Sequence, residues 1–417
     1  MSDLYVGVDV SNLKLDVAFL DRELRPVRPP ATYENTPEGH IALRAAAVSA
    51  AQLLGPKVRI VVGMESTGNM HKCLEASLRT ERRREIQVHV LNPMAIKSFR
   101  KVMLKDSKTD RMDAELIAMY LARIQPPAAP PPPEGLEDLR IATRSRRRLV
   151  ESQTAAKNGL HSLLRRYLPG YRKVSGKGLS NRFLVVLSEF PSPEEILSCA
   201  PEALAALKNG ARGQVGRAFA EKIRALAAKA PVERPGAPVR LLIKDLAAQI
   251  LQFESRISKL EKAIEELAEK VFPGEMQLLC SIPGIGKVSA ASLLAEVGTI
   301  ERFASKDKLV GYAGIYPMVS ESGESGKRSS KMTYKGNKFL KTTLLVASAA
   351  ARQYNPAIAA FYERLRARQK SKRAAGGAIA RKLAEVIYAV LRCRQPWSAE
   401  IAARGIAKAQ AMAAARN

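Results

Sequence analysis

The stretch LYVGVDVSNLKLDVAFL (4–20) decides the fold of the first part of the chain. Apolar residues alternate with other residues on both sides of Ser11-Asn12. This period of two predicts two strands that form a hairpin with its turn at Ser11-Asn12. The elements predicted after it are a helix near 37–54, the strand VRIVVGME (58–65), a helix around 70–84 and the strand IQVHVLN (86–92).

The segment KTDRMDAELIAMYLARI (108–124) predicts an amphipathic helix that closes this α/β domain. Its apolar stripe runs through Ile117, Tyr120, Leu121 and Ile124. At helical spacing the same stripe extends back to Asp113 and Asp110, so two acids lie on the face that is expected to be buried.

A proline-rich spacer, QPPAAPPPPEG (125–135), follows and is expected to be stiff and polyproline-like. After it, the sequence predicts a helical chain. Two segments, 136–168 and 239–272, have long helical periodicity, and the second has near-heptad spacing that favours an antiparallel coiled coil or a dimer arm. We therefore predict an α/β plus all-α protein. The expected parts are an α/β domain (1–125), a linker (126–135), a coiled-coil region (136–272) with an insertion of short helices (173–238), a helical domain (273–397) and a tail (398–417), the tail being an Ala-rich, frayed helix.

The charge balance points to a nucleic-acid partner. The chain has 417 residues, with 68 Lys and Arg against 40 Asp and Glu, a formal net charge of +28. Residues 1–125 carry 19 basic and 15 acidic residues, whereas 327–382 carry 15 basic residues and a single acid, Glu363. A basic excess concentrated in one segment is the footprint of a polyanion-binding protein.

Other function classes are not favoured by the sequence. The N-terminus lacks the features of a signal peptide, and no apolar run reaches the roughly 20 residues that a bilayer requires, so we expect a cytoplasmic protein without a membrane partner. The four cysteines are far apart, which disfavours a zinc site or a disulfide framework.

Four acids of the first domain form a candidate metal site. Asp9 lies inside the first strand, Glu65 ends a later strand, and Asp110 and Asp113 begin the last helix. Carboxylates that converge in this way repel one another, and Mg²⁺ or Mn²⁺ would remove that cost. Each acid alone also has an ordinary explanation, such as a strand-edge residue or a helix cap. Asp16 and Glu115 fit the geometry less well.

A glycine-rich turn marks a second candidate contact with phosphate. The segment LLCSIPGIGKVSAASLLAEVG (278–298) is typical of a helix-hairpin-helix, with Gly284 and Gly286 in the turn and Lys287 beginning the next helix. Free amides at such a helix start bind phosphate groups. The alternative is an ordinary helical hairpin whose glycines serve geometry alone. We expect a Ser/Gly/Lys-rich loop (320–337), a helix from Lys338 and a basic helix through 358–374.

Several of these motifs resemble a known family. GVDVSNLKLDVAF, ESTG, LNPMAIKSF and KTDRMDAELIA are similar to the successive motifs of the DEDD transposases of bacterial insertion sequences, the one-hundred-and-ten family, which also includes the Piv-type DNA invertases. In the C-terminal half, IPGIGKVSAASLLAEVG, GYAGIYPMVSESGESGK and YKGNKFLKTTLL resemble that family's second transposase domain.

The resemblance implies a RuvC-like, ribonuclease-H-like N-terminal domain, a coiled coil and a C-terminal helical domain with a nucleophilic serine. It implies a nucleoid-associated bacterial enzyme that recombines double-stranded donor and target DNA through a 5′-phosphoserine intermediate. It also implies Mg²⁺ or Mn²⁺ as cofactor, a structured bridge RNA as guide, and a homo-oligomer, a dimer or a tetramer. In such tetramers the catalytic site combines the RuvC-like domain of one subunit with the serine domain of another.

Carried over to this sequence, the DEDD acids are Asp9, Glu65, Asp110 and Asp113, and the serine falls in PMVSESGESGKRSS (317–330). Ser322 fits the pattern best, with Ser320 and Ser325 as alternatives. The basic residues expected to neutralise phosphates around it are Lys327, Arg328, Lys331, Lys335 and Lys338. The turn after Asp9 departs from the family, which more often has a lysine directly after the serine, and Lys14 is the candidate replacement.

Two other functions are compatible with parts of this sequence. A metal-dependent junction-type nuclease would use the same acids with water as nucleophile, but it has no need of a serine domain. A non-catalytic nucleic-acid-binding scaffold would keep the basic stretches and leave the four acids idle.

Overall fold

The computed structural model describes residues 3–66, 68–79, 86–103, 110–127, 132–210, 213–320, 329–333, 335–368 and 371–399, with the backbone alone at 317–320 and 329–331. The chain divides into two compact units, Met1–Pro131 and Pro132–Asn417. Among the described residues, no helix is both long enough and apolar enough to cross a membrane.

The first unit is a five-stranded sheet covered by helices. Its elements are β1 (Asp3–Val10), β2 (Lys14–Leu20), β3 (Pro26–Glu34), α1 (Pro37–Leu54), β4 (Arg59–Glu65), α2 (Lys72–Arg79), β5 (Ile86–Leu91), α3 (Pro93–Val102) and α4 (Asp110–Ile124). The strand order is β3-β2-β1-β4-β5, with β1, β2 and β3 antiparallel and β1, β4 and β5 parallel. This mixed sheet is consistent with the expected ribonuclease-H-like domain.

The predicted hairpin is confirmed, because β1 and β2 pair over Tyr5–Val10 and Leu15–Leu20. Two elements escaped prediction. The strand β3 contains three prolines and is mostly exposed, which is tolerated only at the edge of a sheet. The short helix α3 begins after Asn92, whose side chain accepts from the Met94 amide at 2.8 Å and caps it.

Each face of the sheet has its own apolar core. Leu4, Val6 and Val8 of β1 face α1 and α2, while Tyr5 faces α4. The helix α4 is buried on most sides, at Ala114, Leu116, Ile117, Ala118, Met119, Leu121 and Ala122. Ile124, expected in the buried stripe, is instead 52% exposed, because it is the last helical residue and lies beyond the buried stretch.

Two glycines allow α4 to lie directly on the sheet. Gly7 of β1 and Gly63 of β4 are partners in the parallel register. A Cβ atom on Gly7 would lie 1.9 Å from the carbonyl oxygen of Ala114, and one on Gly63 would lie 2.6 Å from Leu121 Cδ1. The helix therefore fits against this pair of strands only because both residues lack a side chain.

The second unit is mainly helical. Its elements are α5 (Leu136–Tyr167), α6 (Arg172–Ser175), α7 (Asn181–Glu189), α8 (Pro193–Ser198), α9 (Pro201–Ala206), α10 (Arg217–Ala227), α11 (Ala237–Val271), α12 (Glu275–Cys280), α13 (Lys287–Val297), α14 (Lys306–Ala313), β6 (Pro317–Ser320), β7 (Ser329–Met332), α15 (Lys338–Tyr354), α16 (Pro356–Ala367) and α17 (Lys372–Cys393).

The long helices α5 and α11 run antiparallel. Gly135 lies against Val271, and Gly159 lies against Leu246, so the start of α5 packs near the end of α11 and later residues of α5 pack on earlier residues of α11. At one end the pair joins the core of α12–α17. At the other end it joins a separate core formed with the short helices α6–α10, which are the short helices expected at 173–238.

Two expectations for the C-terminal part are wrong. The segment 320–337 is not entirely a loop, since Pro317–Ser320 and Ser329–Met332 pair as antiparallel strands. The basic helix expected through 358–374 is two helices, because Ser371 accepts from the Ala374 amide at 3.2 Å and begins a new helix. The expected helical tail from 400 onward lies outside the described residues.

We predict that Gly7→Ala lowers the free energy of unfolding of the first unit by about 3 kcal/mol, because its methyl group overlaps the backbone of α4. Calorimetry of the full chain measures this as a lower melting temperature of that unit. Gly376→Ala is the control, since Gly376 is helical and a Cβ there meets nothing within 4 Å. An unchanged transition for Gly7→Ala contradicts the close approach.

Candidate active site

The strand alternation places three acids on the face of the sheet that α4 covers. Successive side chains of a strand point to opposite faces. Asp9 shares its face with Tyr5 and Gly7, and Glu65 shares its face with Val61 and Gly63. Asp16 of β2 lies directly opposite Asp9 in the antiparallel register.

The helix α4 begins at the same end of these strands. Gly7 lies under Ala114, and Gln125 Nε2 lies 3.5 Å from the hydroxyl of Tyr5. The helix therefore runs antiparallel to β1, and its first residues lie towards the end that carries Asp9. In the parallel register Val8 is opposite Met64, so Asp9 and Glu65 follow side by side. Sheet and helix bring the four predicted acids to one corner.

Lys14 bridges two acids of this corner. Its Nζ lies 2.7 Å from Asp110 Oδ2 and 3.0 Å from Asp16 Oδ2. The hydrogen bonds to Asp110 and Asp16 raise the pKa of Lys14 above its ordinary value. The Asp16 side chain is 5% exposed and also accepts from Thr32 Oγ1 at 2.6 Å, whereas the Asp110 side chain is 57% exposed. Asp16, which fitted the predicted site less well, is thus the buried acid of the bridge, and Asp110 is the exposed one.

Arg100 of α3 pairs with Asp113. The guanidinium Nη2 donates to Asp113 Oδ1, and both side chains are largely buried. Asp113 is therefore more than a favourable acid in the first turn of a helix, because it also ties α3 to α4. No sequence pattern predicts this pair, because it forms only when the two helices lie on the same face of the sheet.

The chemistry of the four acids suits a divalent cation, since carboxylate oxygens are the ligands that Mg²⁺ and Mn²⁺ prefer. Within the described part of the chain, however, no group of three or more His, Cys, Asp or Glu side chains is arranged to hold a metal ion. Lys14 and Arg100 neutralise Asp110 and Asp113 in this arrangement. A metal would have to take the place of Lys14 at Asp110.

A buried histidine supports the turn that follows Asp9. His40 is 3% exposed, and its Nε2 lies 2.8 Å from Asn35 Oδ1. Because the Asn35 amide nitrogen donates to the carbonyl of Ser11 at 2.8 Å, the histidine nitrogen is the donor to Asn35. Burial lowers the pKa of His40, so the ring is neutral at pH 7. The sequence had offered no role for this residue.

The strands β6 and β7, which lie on either side of the predicted serine, pair antiparallel, and we call the segment 317–332 the serine hairpin. Ser320 ends β6 and pairs with Ser329. Lys331 lies in β7. The predicted residues Ser322, Ser325, Lys327 and Arg328 lie outside the described residues.

The exit of the serine hairpin is a capped helix start. Gly336 has a φ of 104°, and Asn337 Oδ1 accepts from the amides of Phe339 and Leu340 at 3.0 and 3.1 Å. The helix predicted from Lys338 is confirmed, with Asn337 as its N-terminal cap. Lys335 and Lys338 flank it, and Lys338 Nζ lies 5.2 Å from the centre of the Phe339 ring.

The glycine turn before α13 divides its roles between its residues. Gly284 has a φ of 95° and packs on α15, where a Cβ atom would lie 2.4 Å from Ala351 Cα. A Cβ on Gly286 meets nothing within 4 Å, and Lys287 is exposed, 3.8 Å from Glu265. The role that the structure shows for Gly284 is therefore close packing on α15, while Gly286 and Lys287 face open space.

Comparison with known proteins supports both units. The family model DEDD_Tnp_IS110, described as a transposase, matches residues 6–169, and the model described as "Transposase IS116/IS110/IS902 family" matches residues 276–363. The insertion element IS110 uncharacterized 43.6 kDa protein of Streptomyces coelicolor is 25% identical over 96% of this chain and 98% of its own length. The pilin gene-inverting protein of Moraxella bovis is 23% identical over 96% and 99%.

The mixed sheet with its acidic corner and the two family matches define a class, the DNA transposases and recombinases, which are enzymes that cut and rejoin DNA. Within that class, the chain belongs to the IS116/IS110/IS902 family of transposases.

We predict that the first unit loses stability as the pH falls below about 6.5, the ordinary pKa of histidine. Burial lowers the pKa values of His40 and His89, so the unfolded chain binds more protons in this range and stability rises with pH. Calorimetry between about pH 5 and pH 8 measures it. His40→Gln keeps a donor to Asn35 and should flatten the dependence, whereas His161→Gln in the second unit should not. An equal slope in His40→Gln contradicts the prediction.

Proposed function

We propose that this transposase cuts and rejoins DNA through a covalent serine intermediate, with a divalent cation held by Asp9, Glu65, Asp110 and Asp113. The observation that carries the proposal is the convergence of β1, β4 and the start of α4 at one corner of the first sheet. A second unit that presents several serines on a hairpin flanked by basic residues supports it.

The acids supply the electrostatic part of the site. A bound Mg²⁺ or Mn²⁺ would polarise the scissile phosphate and favour the attacking oxygen. Asp110 is the most accessible of the paired acids and would exchange Lys14 for the cation, while the buried Asp16 keeps hold of Lys14. Lys14 would then remain beside the site as a positive charge facing the substrate phosphate.

The serine supplies the covalent part, and Ser322 is the proposed nucleophile. Its Oγ forms a bond to phosphorus while the bond from phosphorus to the 3′ oxygen breaks. The serine proton passes to water, and the 3′ oxygen takes up a proton from water to become a free hydroxyl. In the second step a 3′ hydroxyl attacks the 5′-phosphoserine and releases the serine, so no high-energy cofactor is consumed. A serine hydroxyl needs such activation, because it is a weak nucleophile at neutral pH.

The basic residues of the second unit would hold the nucleic acids. Lys327, Arg328, Lys331, Lys335 and Lys338 surround the serine hairpin in sequence, and Gly286 with Lys287 opens α13 towards solvent. Phosphate contacts of this kind give affinity and register without sequence readout. We propose that donor and target sequences are chosen by a structured bridge RNA. We also propose that the antiparallel helices α5 and α11 act as a coiled coil in a dimer or tetramer.

The serine assignment predicts that Ser322→Ala abolishes a covalent protein–DNA adduct on a suicide substrate, because the attacking oxygen is gone. A denaturing gel measures the adduct. Ser320→Ala and Ser325→Ala are the matched controls and should retain it. If Ser320→Ala or Ser325→Ala loses the adduct while Ser322→Ala keeps it, Ser322 is not the nucleophile. Nicked DNA without any adduct, in the unaltered protein, would favour a nuclease that uses water.

The metal assignment predicts that Asp110→Asn weakens Mn²⁺ binding by at least about tenfold, because one anionic ligand is lost. Its unfolding free energy should change by no more than about 1 kcal/mol, as expected for an exposed acid at a helix start. Calorimetric titration with Mn²⁺ measures the first quantity. Glu115→Gln on the same helix is the control. Mn²⁺ binding by Asp110→Asn that equals the unaltered protein removes Asp110 from the site.

A further inference from the structure

A buried carboxylate joins the exit of the serine hairpin to the long helix α5. Glu296 of α13 is 2% exposed. Its two oxygens accept from Nε and Nη2 of Arg144 on α5 at 2.7 and 2.8 Å. The same carboxylate accepts from Nδ2 of Asn337 at 2.7 Å. Three separate elements therefore meet at one buried negative charge.

Asn337 is fully engaged at this junction. Its Oδ1 caps α15, and its backbone amide donates to the carbonyl of Tyr312 at 2.7 Å. The side-chain amide nitrogen is the group that reaches Glu296, and it also lies 3.2 Å from the Tyr312 hydroxyl. Any movement of Asn337 would break the cap of α15 together with the bond to Glu296.

The base of the serine hairpin is attached to Asn337 with little slack. The Thr333 amide donates to the carbonyl of Tyr316 at 3.1 Å and closes the two strands. Lys341 Nζ on α15 donates to the Thr333 carbonyl at 2.7 Å. Gly336 packs so closely on Gly314 that a Cβ atom on Gly336 would lie 2.7 Å from Gly314 Cα. The position of Glu296 is thus transmitted to the hairpin through short contacts.

Glu296 stabilises the charged form of its partner on α5, Arg144. Burial lowers the pKa of Arg144, but the hydrogen bonds and charge of Glu296 raise it by more, and the net shift is upward. The guanidinium also lies 4.4 Å from the centre of the Phe339 ring, on α15. Glu296 is buried and the Arg144 side chain is 32% exposed. An ion pair with a desolvated carboxylate adds little stability compared with apolar packing, so its geometric specificity is the property that demands an explanation.

We infer that Glu296 is a positioning residue for strand cleavage, because it fixes the exit of the serine hairpin against Arg144 of α5. The inference rests on the proposed serine mechanism and deepens it. Helix α5 is 32 residues long, and its far half lies in the core shared with α6–α10. A tilt of α5 would move Arg144 and, through Glu296 and Asn337, the hairpin that carries the candidate serines.

The test separates positioning from DNA binding. Glu296→Gln removes the charge and should slow single-turnover adduct formation at saturating DNA by between about ten- and a hundredfold, as small misplacements of a reacting group do. The DNA concentration for half-saturation should change less than about twofold, because Glu296 is itself buried and the substitution leaves every basic side chain in place. Hydrogen exchange should accelerate in peptides that cover Thr333 and Asn337.

The chain offers a matched control on the same helix. Arg146 of α5 donates to Glu261 of α11 at 2.5 and 2.9 Å, and this pair does not touch the hairpin. Glu261→Gln should leave the adduct rate and the exchange of Thr333 and Asn337 within about twofold of the unaltered protein. Equal slowing by Glu296→Gln and Glu261→Gln would overturn the inference, as would a loss confined to DNA affinity.

A second variant covers the case in which Glu296→Gln does not fold. Asn337→Ser keeps a good helix cap but loses the amide that donates to Glu296. Its control is Asn355→Ser, since Asn355 caps α16 in the same way with bonds of 3.1 and 3.3 Å. Slowing in Asn337→Ser alone supports the inference, and equal rates overturn it. If the unaltered protein forms no adduct, the serine mechanism fails, and exchange at Thr333 still decides whether Glu296 holds the hairpin.

Discussion

The contact that the first unit depends on is the packing of α4 on Gly7 and Gly63. The backbone of the helix lies against Gly7, and the side chains of Ile117 and Leu121 lie against Gly63, so the helix approaches the sheet closely where these two strands present no side chain. The contact fixes both the height and the direction of α4. Because the helix runs antiparallel to β1, it begins towards the end of the sheet that carries Asp9 and Glu65, and Asp110 and Asp113 lie in its first turn.

The second unit also contains a close backbone approach, but polar contacts hold it in place. Gly314 and Gly336 approach through their backbones, and a Cβ on Gly314 would lie 2.0 Å from the carbonyl oxygen of Lys335. This close approach is locked by a buried charge, Glu296, rather than by an apolar helix face. Polar bonds hold the base of the hairpin in a defined position without many packing neighbours. Such a base suits a segment that must meet a reacting phosphate at a fixed distance.

The sequence predicts the parts of this fold that carry a strong period. The β1–β2 hairpin, β4, β5 and α4 follow from the apolar pattern of strands or from helical spacing, and the two long helices follow from long helical periodicity, with near-heptad spacing in the second. The edge strand β3 escaped because three prolines and an exposed surface remove the alternating signal. The break between α16 and α17 escaped because a single serine cap creates it.

Side-chain pairing was less accessible from the sequence than the backbone. The four acids could be grouped because strand ends and helix starts meet in sheets of this kind, but nothing in the sequence joins Arg100 to Asp113 or Lys14 to Asp110. Those pairs exist because α3 and β2 both contact α4. Glu296 lies among apolar residues in the buried second half of α13. A lone acid on a buried helical face indicates a partner, but not which of 68 basic residues supplies it.

The acidic corner carries its own counter-charges, and this explains how the first unit tolerates it. Asp9, Asp16, Glu65, Asp110 and Asp113 would repel one another strongly if they were gathered without cations. Lys14 and Arg100 offset part of that repulsion. The two cations are not equivalent. Arg100 and Asp113 are both largely buried, so separating them is costly, whereas Asp110 is mostly exposed and its bond to Lys14 is screened by water. Of these two ion pairs, the one at Asp110 is therefore the easier to exchange for another cation.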